Sequence, residues 1–397
     1  MEQLPSIIPW LEDHLSEYLD RLASLVNVDC GTSNKPGVDH AGHIFRGYLQ
    51  EAGFALTEYP LEQYGDCCLA SLRGDGSARI LLIGHLDTVF PVGTAAARPL
   101  RSDQQHLLGP GVCDMKAGLL TGLYALRALQ QVNFTDFAQI DFFLNTDEEI
   151  DSPASRSLYL PTAVQADVAL VLESARMNGD IVSARKGGGN YRIQVHGRQA
   201  HAGVEIEKGA NAILELTHCI QEISALNGWR PGTTVNVGLA GGGIRPNVVP
   251  DDAWAEIDVR FVTVADGLAL DQSIRQIASQ THIAGTRTEV VGGIGKNPME
   301  KTAASIYLVE LVQGVAKQIG LRFSDVQTGG TSDGNYISGV GIPTLDGLGP
   351  IGGLDHSPYE YIEEKSIVSR TALLAGLISE LAVHRDQILK LKPQSPR

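Results

Sequence analysis

Three short apolar runs that end in charge constrain this chain more than any other feature. Arg79-Ile80-Leu81-Leu82-Ile83-Gly84, Ile140-Asp141-Phe142-Phe143-Leu144-Asn145 and Val168-Ala169-Leu170-Val171-Leu172-Glu173 are strand-sized and apolar almost throughout. Helical sequence from Ala117 to Gln130 lies between the first two. Strands of this kind alternating with helices predict a central, mostly parallel sheet covered on both faces by helices, an α/β fold. Each run closes on polar residues, and open α/β sheets bind their ligands at that edge.

Elsewhere the texture differs. Ile7, Ile8, Leu11, Leu15, Leu19, Leu22 and Val26 recur at helical spacing, and a second helix is expected over Ala41 to Ala52. After Gly179, Tyr191–His196 and Trp254–Arg260 alternate polar with apolar residues, the pattern of half-exposed antiparallel strands. Asn211–Leu226 and Leu268–Ser279 are expected as helices on one face of that small sheet. The chain therefore divides into a larger α/β domain over 1–179 and 294–397 and an inserted smaller α+β domain over 180–293. The return segment carries helices over Ala303–Gln318 and Glu363–Val383.

The 397 residues hold 31 Lys and Arg against 46 Asp and Glu, a formal charge of −15. An acidic excess argues against nucleic acid as a partner. No apolar run approaches the ~20 residues of a membrane span. The first basic residue is Arg21, after Glu12, Asp13, Glu17 and Asp20, unlike the basic start of a secretory leader, so the expected location is the cytoplasm. Five cysteines with no C-x-x-C pair predict free thiols, not a disulfide framework.

The chemistry gathers at the strand ends. Gly84-His85-Leu86-Asp87 closes the first run, and two residues apart on extended chain put Asp87 beside His85, where its carboxylate can orient the ring. Asp114 opens a helix in Cys113-Asp114-Met115-Lys116-Ala117-Gly118. The next strands end in Asp147-Glu148-Glu149 and Glu173, and a glycine-rich turn offers His356. Two histidines with three carboxylates suit two zinc ions sharing an aspartate, with cobalt or manganese as alternatives. Such a pair polarises a carbonyl and acidifies water, and the adjacent Glu148 is placed to act as general base.

Gly84-His85-Leu86-Asp87-Thr88-Val89, Asp114-Met115-Lys116-Ala117-Gly118, Asp147-Glu148-Glu149, Glu173, His201-Ala202-Gly203 and His356-Ser357-Pro358 together resemble the ordered motifs of the dizinc metallopeptidases. That family embraces glutamate carboxypeptidase, acetylornithine deacetylase and succinyl-diaminopimelate desuccinylase. The resemblance covers nearly the whole chain and is greatest to the glutamate carboxypeptidase branch. It implies that Asp114 bridges two zincs, His85 and Glu173 complete one site, and Glu149 and His356 the other. Asp87 then orients His85, and Glu148 is the base. The inserted domain becomes a lid or dimerisation domain that sends His201 across a homodimer to the oxyanion. Glutamate at position 173 favours carboxypeptidases and deacylases over aminopeptidases. Asn247 and Arg260 match substrate-binding positions, and an arginine fork suits a substrate carboxylate. Gly330 falls in a loop, Gly329 to Asp333, whose amides face that end of the substrate. A further carboxylate-binding arginine of glutamate carboxypeptidase has no counterpart in Gly292–Lys296, where Lys296 is the candidate substitute.

The expected substrate is thus a small peptide or N-acyl amino acid, and the expected reaction hydrolysis of the amide beside a C-terminal residue, with N-acyl deacylation as the alternative. Two remoter readings are a serine hydrolase using Ser332 in Gly330-Thr331-Ser332-Asp333-Gly334 and a non-catalytic peptide-binding relative. The first is disfavoured because Phe323–Thr328 is too polar for the buried strand a nucleophile elbow needs. Gly109-Pro110-Gly111 lacks the third glycine of a dinucleotide loop. Gly187–Gly189 and Gly241–Gly243 are expected as turns at strand ends.

Overall fold

The computed structural model describes residues 4–392, which gather into two compact units. The first runs to Ala184 and resumes over Lys301–Gln327 and from Ser332 onward; the second comprises Arg185–Glu300 with Thr328–Thr331. The expected boundary at 293 would cut the strand Arg287–Lys296, whose pairing continues past it, and the second unit keeps that strand whole.

The first unit is built on six strands: β1 (Ala55–Tyr59), β2 (Cys67–Arg73), β3 (Arg79–His85), β4 (Gln139–Asn145), β5 (Val168–Val171) and the short Thr344–Leu345. In space they run β1-β2-β4-β3-β5 and then Thr344–Leu345. β3 pairs parallel with β4 and β5, and β5 with Thr344–Leu345, whereas β1–β2 and β2–β4 are antiparallel. The three apolar runs are therefore the parallel heart of a mixed sheet. Helices on both sides explain why these strands show no polar face. Ile80 and Leu82 face a core shared with helices Leu4–Asp13, Leu15–Val26, Ala117–Gln131, Ala303–Gln318 and Ser366–Leu391, while Leu81 and Ile83 face a second cluster with Tyr159 and Ile337.

Two expectations change in detail. The amphipathic stretch at the start is two helices, broken at His14, whose φ of −102° and ψ of 7° leave the helical region and whose ring stacks on Trp10 at 3.9 Å. Ser366–Leu391 is long and apolar enough by composition to span a bilayer, but most of it is buried within this unit. It is a core helix. Near its start the fully buried Arg370 donates to the carbonyls of Gly349, Gly179 and Gly347.

The second unit is a four-stranded antiparallel sheet of β6 (Gly187–His196), β7 (Thr234–Gly242), β8 (Asp252–Phe261) and β9 (Arg287–Lys296), ordered β7-β8-β6-β9. The inward set Tyr191, Ile193, Val195, Ala253, Ala255, Ile257 and Val259 packs on helices Ala212–Ser224 and Val264–Ala278 through Leu216, Cys219, Leu270 and Ile274. The alternate residues Arg192, Glu256, Asp258 and Arg260 are only partly covered, as period-two patterning requires. Gly187–Gly189 are not a turn but the opening of β6. A Cβ on Gly189 would stand 2.6 Å from the Gly293 carbonyl, so the close strand approach demands glycine there.

Candidate metal centre

The parallel register brings the strand ends together. His85 is paired with Asn145 across β3 and β4, and Ile83 with Val171 of β5, so His85, the turn after Asn145 and Glu173 emerge side by side. Asp114 sits in the turn Val112–Lys116 immediately before helix Ala117–Gln131, joined to Met115 by a cis peptide. That helix start is pressed against the end of β5. A Cβ on Gly118 would lie 1.8 Å from the Leu172 carbonyl oxygen, and only glycine permits the approach.

Asp114 is the hinge of the arrangement. Its Oδ1 lies 2.9 Å from His85 Nε2 and its Oδ2 3.1 Å from His356 Nε2. His85 Nε2 is 3.6 Å from Glu173 Oε1, and His356 Nε2 is 3.2 Å from Glu149 Oε2. Each imidazole thus faces the shared aspartate and one glutamate of its own. His85, Asp114 and Glu149 offer ligand atoms all within 4.8 Å of one another. All five residues expected as ligands belong to the first unit and converge in it.

The electrostatics are those of crowded, buried carboxylates. Burial and the neighbouring Asp114 push Glu173 up to about 7. Burial likewise raises Glu149. Burial opposes ionisation of Asp114 too, but hydrogen bonds from His356 and His85 hold its carboxyl well below the usual range. Hydrogen bonds to Asp114 and Glu149 lift His356 to about 11. Among the described residues Glu149 Oε1 is buried with no hydrogen-bond partner. A buried orphan oxygen in a set of two imidazoles and three carboxylates is what divalent cations would satisfy. The residues fit a pair of metal ions.

Asp87 lies against the His85 ring and also does more than orient it. The atom nearest His85 Nδ1 is the Asp87 backbone oxygen at 2.9 Å, with the carboxylate Oδ1 at 3.4 Å. The fully buried carboxylate also accepts from Thr32 Oγ1 at 2.7 Å and from the backbone N–H groups of Glu148 and Glu149, both at 3.2 Å. It therefore fastens the turn Glu148–Ile150 to the end of β3. Sequence reasoning missed Glu360. Its buried carboxylate accepts the N–H of Gly111 at 3.0 Å, of Cys113 at 2.8 Å and of Asp114 at 3.0 Å, shaping the turn that presents the aspartate. A lone glutamate four residues after His356 carries no pattern that marks it.

Ser332 is no nucleophile. Its Oγ donates to Asp346 at 2.7 Å and caps helix Asp333–Gly339 by accepting from Gly334 N. Asp333 is bound by Asn145, Ser152 and Tyr159.

His201, Asn247, Arg260 and Gly330 belong to the second unit. His201 is exposed, and its Nδ1 accepts the N–H of Gly203 at 3.1 Å, so the neutral ring carries its proton on Nε2, as a donor. The turn beside it pairs with Asn247, whose carbonyl accepts Ala202 N at 3.1 Å. The fork of Arg260 is closed by Asp258, Nε to Oδ1 at 3.1 Å and Nη2 to Oδ2 at 2.9 Å. The Gly330 carbonyl accepts from Arg185 Nη1 at 3.1 Å, and Lys296 Nζ approaches Thr331 Oγ1 at 3.2 Å.

An α/β sheet presenting such a cluster at its carboxyl edge defines a metal-dependent hydrolase. Residues 81–380 match the peptidase family M20/M25/M40, and the chain belongs to that family of metallopeptidases and amidohydrolases. It is 28% identical over 374 residues to carboxypeptidase G2 of Pseudomonas sp. (strain RS-16), covering 93% of this chain and 90% of that one. It is 27% identical over 308 residues to a putative succinyl-diaminopimelate desuccinylase of Mycobacterium tuberculosis, covering 75% and 80%. The crystal structure of aminopeptidase PepT from Bacillus cereus superposes with a TM-score of 0.81 at 24% identity, covering 93% of this chain and 99% of that one, a likeness of fold.

Proposed function

We propose that this enzyme is a dizinc amidohydrolase that releases a C-terminal amino acid from a small peptide or N-acyl amino acid, in the manner of a carboxypeptidase. The observation that carries the reading is Asp114, whose two oxygens each face a different histidine, at 2.9 and 3.1 Å. His85 with Glu173, and His356 with Glu149, would hold one ion each, and Asp114 both. Ions so held supply Lewis acidity toward the scissile carbonyl and toward water.

The chain's own residues do the rest. Glu148, whose backbone Asp87 anchors, takes the proton of the attacking water and delivers it to the leaving nitrogen. His201, with its proton on Nε2, donates to the oxygen that becomes negative in the tetrahedral intermediate. In our reading it does so from a partner subunit of a cytoplasmic homodimer, with Asn247 in the same loop pair. Similarity to the desuccinylase supports a second reading, N-acyl deacylation, which breaks the same bond type beside a free carboxylate.

The test joins metal analysis to hydrolysis of N-acyl-glutamates, N-acyl-ornithine, succinyl-diaminopimelate and dipeptides, with and without chelator. About two zincs per chain and chelator-sensitive cleavage of one class are expected. Activity indifferent to chelator would remove the metal centre from the reaction, and an active monomer would remove His201 from its trans role.

A further inference from the structure

We propose that the second unit carries a cation site of its own, in which His218, Glu222 and His282 take a divalent transition metal of the zinc class. The arrangement starts from Glu215, which lies in helix Ala212–Ser224 and is fully buried, where a carboxylate needs donors. Its Oε2 accepts the backbone N–H groups of His282, at 2.9 Å, and of Ile283, in the segment that follows helix Val264–Ala278. Its Oε1 faces His282 Nδ1 at 3.4 Å. An ionised carboxylate can only accept, so it keeps the ring proton on Nδ1, the pattern that fixes the tautomer of a metal-binding histidine.

The opposite nitrogen, Nε2, is then left with a lone pair, and it lies 3.0 Å from Oε1 of Glu222. Two acceptors this close repel unless positive charge joins them. Zinc, with bonds of ~2.0–2.1 Å, sets its tetrahedral ligands about 3.3 Å apart, close to the separation already present. A proton on Nε2 would also relieve the pair, but it would make no use of His218. That residue stands four before Glu222 on the same helix, a spacing at which two side chains share a face and can chelate one ion. Its ring lies parallel to that of His282, with centroids 4.6 Å apart and planes 10° apart. Because His218 is exposed, its ring can turn about its own side-chain bonds and aim a nitrogen at the ion. Two imidazoles and one carboxylate are a zinc donor set, with water in the fourth position. All of these residues belong to the second unit, so this ion is additional to any pair held by Asp114 and its neighbours. It ties the segment after helix Val264–Ala278 to helix Ala212–Ser224, adding to the hold of Glu215.

The experiment compares the full-length wild type with the double variant His218→Ala, Glu222→Gln, whose substitutions lie outside the apolar core of the second unit. Both proteins are dialysed at about pH 7.5, where unperturbed imidazoles are neutral, against a graded series of zinc concentrations, and bound metal is measured per chain. The wild type is expected to hold one zinc more than the variant. That difference reads the site whatever the occupancy of the centre around Asp114. Hydrogen exchange gives a second readout, local to the segment. In the wild type the amides of His282 and Ile283 should exchange about tenfold more slowly once zinc stands about tenfold above its Kd, and in the variant zinc should leave them unchanged. Equal zinc content in the two proteins overturns the proposal, and so does exchange at these amides that zinc fails to slow in the wild type.

Discussion

On the open face of the second unit's sheet, Arg192 meets Glu256 at 2.7 Å and Arg260 meets Asp258 at 2.9 Å, one cation to one anion at partly exposed positions. At the carboxyl edge of the first unit's sheet, two imidazoles face Asp114, Glu149 and Glu173, with the buried carboxylates of Asp87 and Glu360 close behind. The first arrangement is balanced by itself and is worth little, because water screens it. The second is unbalanced by itself, and five carboxylates crowded beside two imidazoles are tolerable only if further positive charge joins them. Charge that the fold leaves uncompensated marks where a ligand belongs.

The sharpest way to break this contrast is Glu148→Gln, which removes a charge from the edge without removing a ligand. Hydrolysis should fall roughly 10³-fold in kcat while zinc content stays unchanged. Loss of zinc along with activity would make Glu148 part of the cation site and not a base beside it.

A second test uses protons as the rival cation. In the metal-free protein burial pushes Glu173 up to about 7, and hydrogen bonds to Asp114 and Glu149 lift His356 to about 11. Both groups therefore carry protons at neutral or slightly acidic pH that zinc must displace. Zinc affinity should fall as pH is lowered through 7, by about tenfold per pH unit for each proton released. Calorimetry in two buffers of different ionisation enthalpy measures the release directly. The folding stability of the metal-free protein should move the opposite way, because a carboxyl raised in the folded state makes that state less favourable as pH rises from the unfolded value of 4.5 toward 7. An affinity flat across this range would mean that the edge is not proton-loaded when empty.

The smallest effect belongs to the balanced face. Arg192→Ala should change unfolding free energy by only about 0.2–1 kcal/mol and leave zinc binding untouched. A larger loss in chemical denaturation would show that the face is less solvated than its exposure indicates.

What the sequence disclosed follows the same division. β3, β4 and β5 are covered on both faces, so burial wrote itself into composition, and their polar ends pointed to His85, Glu149 and Glu173. β1 escaped notice because an edge strand such as Ala55-Leu56-Thr57-Glu58-Tyr59 is largely exposed and leaves no apolar run. Residues acting through backbone groups were also invisible. Asp87 is expected to orient the ring two residues away, and its carboxylate does lie 3.4 Å from that ring, but nothing in the sequence marks that it also accepts the N–H of Glu148 and Glu149, 61 and 62 residues downstream. The Arg260–Asp258 pair lies two apart on one strand, where side chains share a face. It was readable in principle, had the arginine not been reserved for a substrate.

Glu360 bears on how the enzyme is made. It stands 249 residues beyond Gly111, whose turn it secures, and His356 and the core helix Ser366–Leu391 come equally late. At least the 249 residues between Gly111 and Glu360 must be synthesised after that turn before it can be secured. Translation products that stop short of this region would carry His85, Asp114, Glu149 and Glu173 yet lack both His356 and the carboxylate that secures the turn presenting Asp114.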